Sequence, residues 1–259
     1  MNFKILTVAN TKILKGEKRG YKTFGIHFAP AKLSGHNVCP FASKGCSAAC
    51  LNMAGMGKFS NVQSARIKKT KWFFENRADF LKTLDFEIKY AALLAEYEGL
   101  IPVFRLNLTS DVKFEDYGII QSFPQYQFYD YTKNPQRILK NQLKNYHLTF
   151  SRSESNDNLC KKILKEGFNV AMVFNEIPKD YWGFPVVDGD SDDLRFLDQK
   201  NVIVGLTPKG PAKKDNSGFV IWYAILFMYR IGGFARFNAW IFEKRLTLQN
   251  NSLIYCYAY

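Results

Sequence analysis

The chain is short of acid, of histidine and of long apolar runs, and each shortage narrows what it can be. Its 259 residues carry 23 Asp and Glu against 36 Lys and Arg, a formal net charge of +13. That surplus favours an anionic partner such as nucleic acid, a nucleotide or a phosphorylated substrate. The uninterrupted apolar run from 219 to 229 is eleven residues long, against the ~20 that a spanning helix needs, so no membrane partner is expected. No Gly-x-Gly-x-x-Gly follows a strand pattern and no Gly-x-x-x-x-Gly-Lys-Ser/Thr occurs, which removes the common phosphate cradles of nucleotide folds. The opening MNFKILTVANTKILKGEKRG has neither a long apolar segment nor a cleavage-site pattern, so the chain is expected to stay in a reducing cytoplasm.

Cysteine is also scarce, with five in all, but three of them crowd into one stretch. Residues 34–58, SGHNVCPFASKGCSAACLNMAGMGK, hold Cys39, Cys46 and Cys50 at spacing Cys-x6-Cys-x3-Cys among Gly, Ser, Ala and Pro. A lone cysteine is ordinarily a small buried hydrophobe; three in a small-residue loop point to a metal or iron-sulfur site. Three thiolates without a fourth ligand suit a four-iron, four-sulfur cluster with one iron left open. A structural zinc needs four ligands, and the segment reads His-x2-Cys-x6-Cys-x3-Cys, so His36 would complete a Cys3His site. His27 and His147 fall within strand patterns, where a satisfied core or pocket histidine is the ordinary role.

A strand at 21–30 should run straight into this cysteine loop. Residues 61–99 carry apolar positions at helical spacing and predict two helices broken near Asn76, with Gly99 as the stop; the basic run Arg66, Lys68, Lys69 and Lys71 could meet phosphates, though such a run on a helix is usually a solvated face. After them an arrangement repeats: an apolar strand, a polar cluster at its end, then a helix-like segment. The strand from Ile101 ends in Arg105, Asn107, Thr109, Ser110 and Asp111; that from Tyr126 in Asp130, Tyr131 and Lys133; that from Asn145 in Ser151, Arg152, Ser153 and Glu154. Further strands begin near Phe168, Phe184 and Asn201, giving about seven. Alternation of strands and helices predicts an α/β fold with a parallel sheet, and polar strand ends predict a site on the carboxyl face of a complete or partial (β/α) TIM-like barrel. Asp188, Asp190, Asp192 and Asp193 lack the full calcium-loop pattern, and an N-cap for a helix through Leu194 and Phe196 explains Ser191 to Asp193 more cheaply. Residues 1–218 read as one such domain. Residues 219–259 read as an aromatic-rich tail, appended or frame-shifted, with Arg230, Arg236, Lys244 and Arg245 against Glu243.

The motifs SGHNVCPFASKGCSAACLN (34–52), RLNLTSD (105–111), FYDYTK (128–133), NYHLTFSRSE (145–154), VVDGDSDDLRF (186–196) and IVGLTPKG (203–210) together resemble the phage and plasmid family called gene product 88 over about residues 20–219. The resemblance implies a phage or mobile-element setting, hence a host cytoplasm, and by itself no reaction. Where that family usually has Gly, Leu108 stands, a bulkier side chain that would crowd the strand-end site. More distantly, a three-cysteine loop after strand one on a barrel with polar strand ends is similar to the layout of radical S-adenosylmethionine enzymes, whose usual spacing is Cys-x3-Cys-x2-Cys.

That similarity implies that Cys39, Cys46 and Cys50 ligate a cluster, that Arg105, Asn107, Thr109 and Asp111 hold S-adenosylmethionine, and that Asp130, Lys133, Arg152 and Glu154 face the substrate. The resulting expectation is an iron-sulfur-dependent enzyme acting on a nucleotide or nucleic acid. Two alternatives stand beside it. One is a zinc-stabilised nucleic-acid-binding protein without catalysis. The other is a base-modifying barrel with acid and base carboxylates and merely structural cysteines.

Overall fold

The computed structural model describes residues 4–8 and 11–223. Helix α1 (Thr11–Leu14) precedes strand β1 (Tyr21–Gly25), and a short helix α2 (Lys44–Ala48) lies in the cysteine segment. Two long helices follow, α3 (Ser60–Glu75) and α4 (Arg77–Tyr97). Asn76 between them has φ −139° and ψ 62°, so the helical path breaks at the residue the sequence marks. Phe80, Leu84, Ile88, Ala91, Ala92 and Ala95 form the buried stripe of α4, one face of a 3.6-residue period. Gly99 at φ +73° turns the chain out of it, a conformation that costs glycine little.

The remaining elements are β2 (Ile101–Arg105), β3 (Gln127–Thr132), α5 (Pro135–Lys140), β4 (Tyr146–Ser151), α6 (Asp157–Lys165), β5 (Val170–Phe174), β6 (Asp180–Tyr181), β7 (Phe184–Asp188), β8 (Ile203–Leu206) and β9 (Val220–Ile221). The sheet runs β1-β2-β3-β4-β5-β8-β7-β6, with β9 also on β5. All pairings are parallel except the β6–β7 hairpin. The fold is therefore mixed α/β with a nine-strand, mostly parallel sheet, as expected, but the sheet is not closed. Strand β8 inserts between β5 and β7, and among the described residues no pairing joins β1 to the far end. A complete barrel needs consecutive strands to meet around a ring; here the last strands leave sequence order instead. Val220 and Ile221, assigned by sequence to the appended tail, pair with β5; residues 224–259 of that tail lie outside the described residues. No helix among the described residues is long and apolar enough to cross a membrane.

Strand alternation sorts side chains to two faces. Phe24, Phe104 and Phe128 stand opposite one another in register, with ring centroids 5.8 and 5.2 Å apart. They share their face with Asp130, Thr132, Leu148, Phe150 and Met172 and pack in the main core with α4, α5 and α6. The opposite face carries Thr23, Val103, Arg105, Tyr129, Tyr131 and Thr149. It is covered near β1 to β3 by Leu194 and Phe196 of the segment after β7.

The N-terminal residues are fastened by one carboxylate. Buried Glu87 of α4 accepts from the backbone N–H of Lys4 at 2.7 Å, Ile5 at 3.1 Å and Leu6 at 2.8 Å. Replacing it by alanine orphans three successive donors, so Glu87→Ala is expected to cost about 2–3 kcal/mol in urea unfolding, with amide exchange at residues 4–6 rising well before global unfolding.

Candidate functional site

The cysteine segment lies across the carboxyl ends of β1 to β4, and neighbouring loops hold it there. Val38 N–H donates to Ala31 O at 3.1 Å and Asp111 N–H to Val38 O at 2.8 Å, tying the entry of the segment to the loop after β2. Ser43 caps α2 by accepting from Cys46 N at 3.1 Å. Glu154, after β4, accepts from Ser43 Oγ at 2.6 Å and from Gly45 N at 2.8 Å. A Cβ on Gly45 would meet Glu154 Oε2 at 2.8 Å and also Ser217 Oγ, so glycine is what allows this close approach. Farther on, Asn52 is gripped by Gln63 at 2.9 Å and by Arg66, fixing the Cys50 end against α3.

All three thiols are half-buried. Burial pushes Cys39 up to about 11 and raises Cys46 and Cys50. Cys46 and Cys50 each raise the Cys39 value, so the sulfurs lie within electrostatic reach of one another. Cys39 Sγ is 3.9 Å from Thr109 O. As they stand, no three His, Cys, Asp or Glu side chains among the described residues are close enough together to hold a metal ion. His36 is engaged elsewhere: its ring stacks on Phe74 at 4.4 Å and its Nε2 is 3.9 Å from Glu75 Oε1. Cys160 is fully buried against Asn156, its thiol pushed up to about 12 by burial.

Lys133 lies within electrostatic reach of Cys46, as Arg66 does of Cys50. Lys133 Nζ donates to Arg152 O at 2.7 Å and lies 5.2 Å from the centre of the Phe219 ring. Burial lowers its pKa while Cys46, Cys160, Asp111 and Glu154 raise it. The other polar residues picked from strand ends are occupied with one another. Arg105 Nη1 donates to Asp193 Oδ2 at 2.7 Å and its guanidinium lies 4.6 Å from the centre of the Tyr131 ring. Asn107 donates to Asp130 from both its backbone (2.7 Å) and its side chain (3.0 Å). Thr109 Oγ1 donates to Phe28 O at 2.7 Å. Asp111 accepts from Arg137, from Thr132 Oγ1 at 3.1 Å and from Lys133 N at 2.9 Å. Arg152 holds Asp157 at 2.7 Å and the carbonyls of Gly218 and Phe219 at 2.8 and 3.1 Å.

Asp130 lies on the helix-covered face, away from Tyr131, and also accepts from Tyr146 OH at 2.9 Å. Glu154 serves as the staple of the cysteine segment. Leu108 is buried over Gly25, where an added Cβ would come within 2.7 Å of Leu108 Cγ; its bulk does fill the strand-end space above β1.

The acidic run after β7 is spread over separate cations. Asp190 takes Lys209 at 2.6 Å, Asp192 takes Arg19 at 2.7 Å and Arg195 at 3.0 Å, and Asp193 takes Arg105 and, at 3.2 Å, Lys12. Asp192 also accepts from Leu194 N at 2.9 Å, but the capped helix expected through Leu194 and Phe196 is only a 3-10 turn at Arg195–Leu197, and its N-cap Leu194 makes no side-chain capping bond. His27, read from sequence as an ordinary core or pocket histidine, and Arg66 and Lys69 of the basic run come within electrostatic reach of one another near the end of β1; a basic helix that sends two of its cations inward leaves no periodic mark different from a solvated face.

Comparison with known proteins gives one match. A sequence model of the family described as gene product 88 matches residues 4–222. No curated protein and no solved structure matches.

Proposed function

The chain belongs to the gene product 88 family, and on that footing we propose that it is an iron-sulfur-dependent enzyme of radical S-adenosylmethionine type, serving a phage or mobile element and acting on a nucleotide or nucleic acid. The observation that carries this reading is the gathering of Cys39, Cys46 and Cys50 over the carboxyl ends of parallel strands, where open α/β sheets take their ligands. On this reading the open sheet is a partial (β/α) barrel and the thiol segment is the loop after its first strand.

The chemistry of the donors supports the group, although the three side chains would have to draw closer together to hold it. Three soft thiols without a fourth ligand in company match a cluster with an open iron, whereas a closed zinc site would need His36, which is stacked on Phe74. Cys39, Cys46 and Cys50 would hold the cluster and give up their protons on doing so. When bound, the cluster and its cofactor would supply the one-electron chemistry. The chain's own residues orient and bind: Glu154 keeps the segment over the strand ends, and Lys133 places a buried positive charge beside Cys46 for an anionic substrate. Phe41 and Phe59, each about half exposed on the same segment as Lys44 and Lys58, offer ring faces and cations of the kind that bind unpaired bases and backbone phosphates.

The test is elemental analysis and a visible spectrum on protein purified without oxygen. Wild type should carry about four irons per chain with a broad brown absorbance, and Cys46→Ala less than about a tenth of that iron. One zinc per chain in a colourless protein overturns the proposal in favour of a structural site.

A further inference from the structure

Two residues beyond β1, a group of nitrogen atoms is buried with hydrogen-bonding capacity left open; the Glu87 carboxylate that acts on Lys69 is already taken by three backbone N–H groups. Thr7 and Gly25 exchange backbone hydrogen bonds of 2.9 and 3.0 Å as an antiparallel bridge, a register that sets Ile5 opposite His27. Lys69 Nζ reaches Ile5 O at 2.6 Å, which brings its ammonium to the same place. Ala29 N donates to Thr70 Oγ1 at 2.9 Å, and Thr70 Oγ1 donates to Arg66 O at 2.8 Å. One helical turn of α3 therefore lies along residues 27–29 with Arg66 and Lys69 beside His27.

The donors there are unspent. His27 Nδ1 and Arg66 Nε are buried with no hydrogen-bond partner. Lys69 Nζ uses one of its three protons on Ile5 O. Arg66 meets no carboxylate within ion-pair distance among the described residues; its one side-chain partner is the neutral amide of Asn52. Buried polar groups in folded proteins are almost always satisfied, and those left open ask for a ligand. Burial, then Arg66 and Lys69, push His27 down to about 3, and burial brings Lys69 down to about 8 in spite of the opposing pull of Glu87; an entering anion would relieve both.

We propose that His27, Arg66 and Lys69 form a phosphate-binding site at the carboxyl end of β1, which takes the phosphoryl group of a nucleotide or nucleic-acid ligand. Two cations of α3 and the neutral imidazole beyond β1, with Glu87 spent on backbone N–H groups, suit a phosphoryl group, and charge-assisted bonds of this kind are strong and directional. The choice of a nucleotide rests on the reading above; the phosphate site itself uses no thiol and stands without it.

Titration calorimetry on the full chain tests this with inorganic phosphate, with a nucleoside monophosphate and with its nucleoside, all at constant ionic strength. Phosphate and the monophosphate should bind saturably and the nucleoside at least about tenfold more weakly. His27→Phe and Lys69→Met should each weaken phosphate about tenfold or more, while Lys68→Ala, exposed on the same helix, should not. Arg66 also anchors Asn52, so these two variants avoid confounding binding with folding. The same titration on Cys46→Ala should be unchanged, which separates failure of the thiol site from failure of this one. Equal binding by wild type and both variants, or a nucleoside that binds as well as its monophosphate, overturns the proposal.

Discussion

Asp193→Ala should destabilise the protein by about 3–5 kcal/mol, the usual loss when one partner of a buried ion pair is removed. Asp193 is almost wholly inaccessible, and it is the anion for a basic pair on the β1–β3 side of the sheet: Arg105 at 2.7 Å and Lys12 at 3.2 Å, with Tyr129 OH at 3.5 Å. Burial pushes its carboxyl up, but Arg105 and Lys12 override that and hold it below the ordinary value. Arg105 cannot follow its lost partner into water, because it sits against Tyr131 with its Nε already unpaired. Most of the expected cost is therefore the stranded guanidinium. The double variant Arg105→Met/Asp193→Leu, which removes the carboxylate and the guanidinium and leaves only Lys12 of the three charges, should recover more than half of it. Urea unfolding of the three variants decides the matter; a loss below about 1 kcal/mol for Asp193→Ala would refute the account.

That network marks where the sequence stops being readable. The break at Asn76, the strands near residues 21, 101, 126, 145, 168, 184 and 201, and the placing of three cysteines after the first strand follow from local periodicity and turn chemistry, and they were legible. The order β5-β8-β7 and the pairing of β9 with β5 were not, because both depend on contacts tens of residues apart that leave no period behind. The same limit applied to the polar strand ends. Arg105, Asn107, Thr109 and Asp111 looked free for a ligand because their partners, Asp193, Asp130, Phe28 O and Arg137, lie 23 to 88 residues away. Face assignment at Asp130 failed for a different reason. Both faces of β3 are covered, so Phe128, Tyr129 and Asp130 are all buried, and a uniformly buried strand gives no alternation to say which way the carboxylate points.

Asp130→Asn should remove a large pH dependence of stability that comes from a single carboxyl. Asp130 is fully buried, and burial raises its pKa from 3.8 to about 6, against the opposing pull of Arg137, Arg105 and the hydrogen bonds from Asn107 and Tyr146. Between those two values the folded protein holds a proton that the unfolded chain has released. Stability from this group is thus complete below pH 4 and is lost as pH rises through 6, by about 3 kcal/mol for a shift of about two units. Asp130→Asn removes the titration while keeping the shape. It should gain on wild type by about 3 kcal/mol between pH 4 and 7. Asp190, held near 2 by Lys209 and Thr207 against its burial, titrates below this window and is common to both proteins, so it drops out of the difference. Urea midpoints for the pair across that range give the slope directly. A difference that stays flat would mean that Asp130 is ionised throughout, with Arg137 and Asn107 outweighing burial, and the carboxylate would then regain its standing as a charged group at the strand ends.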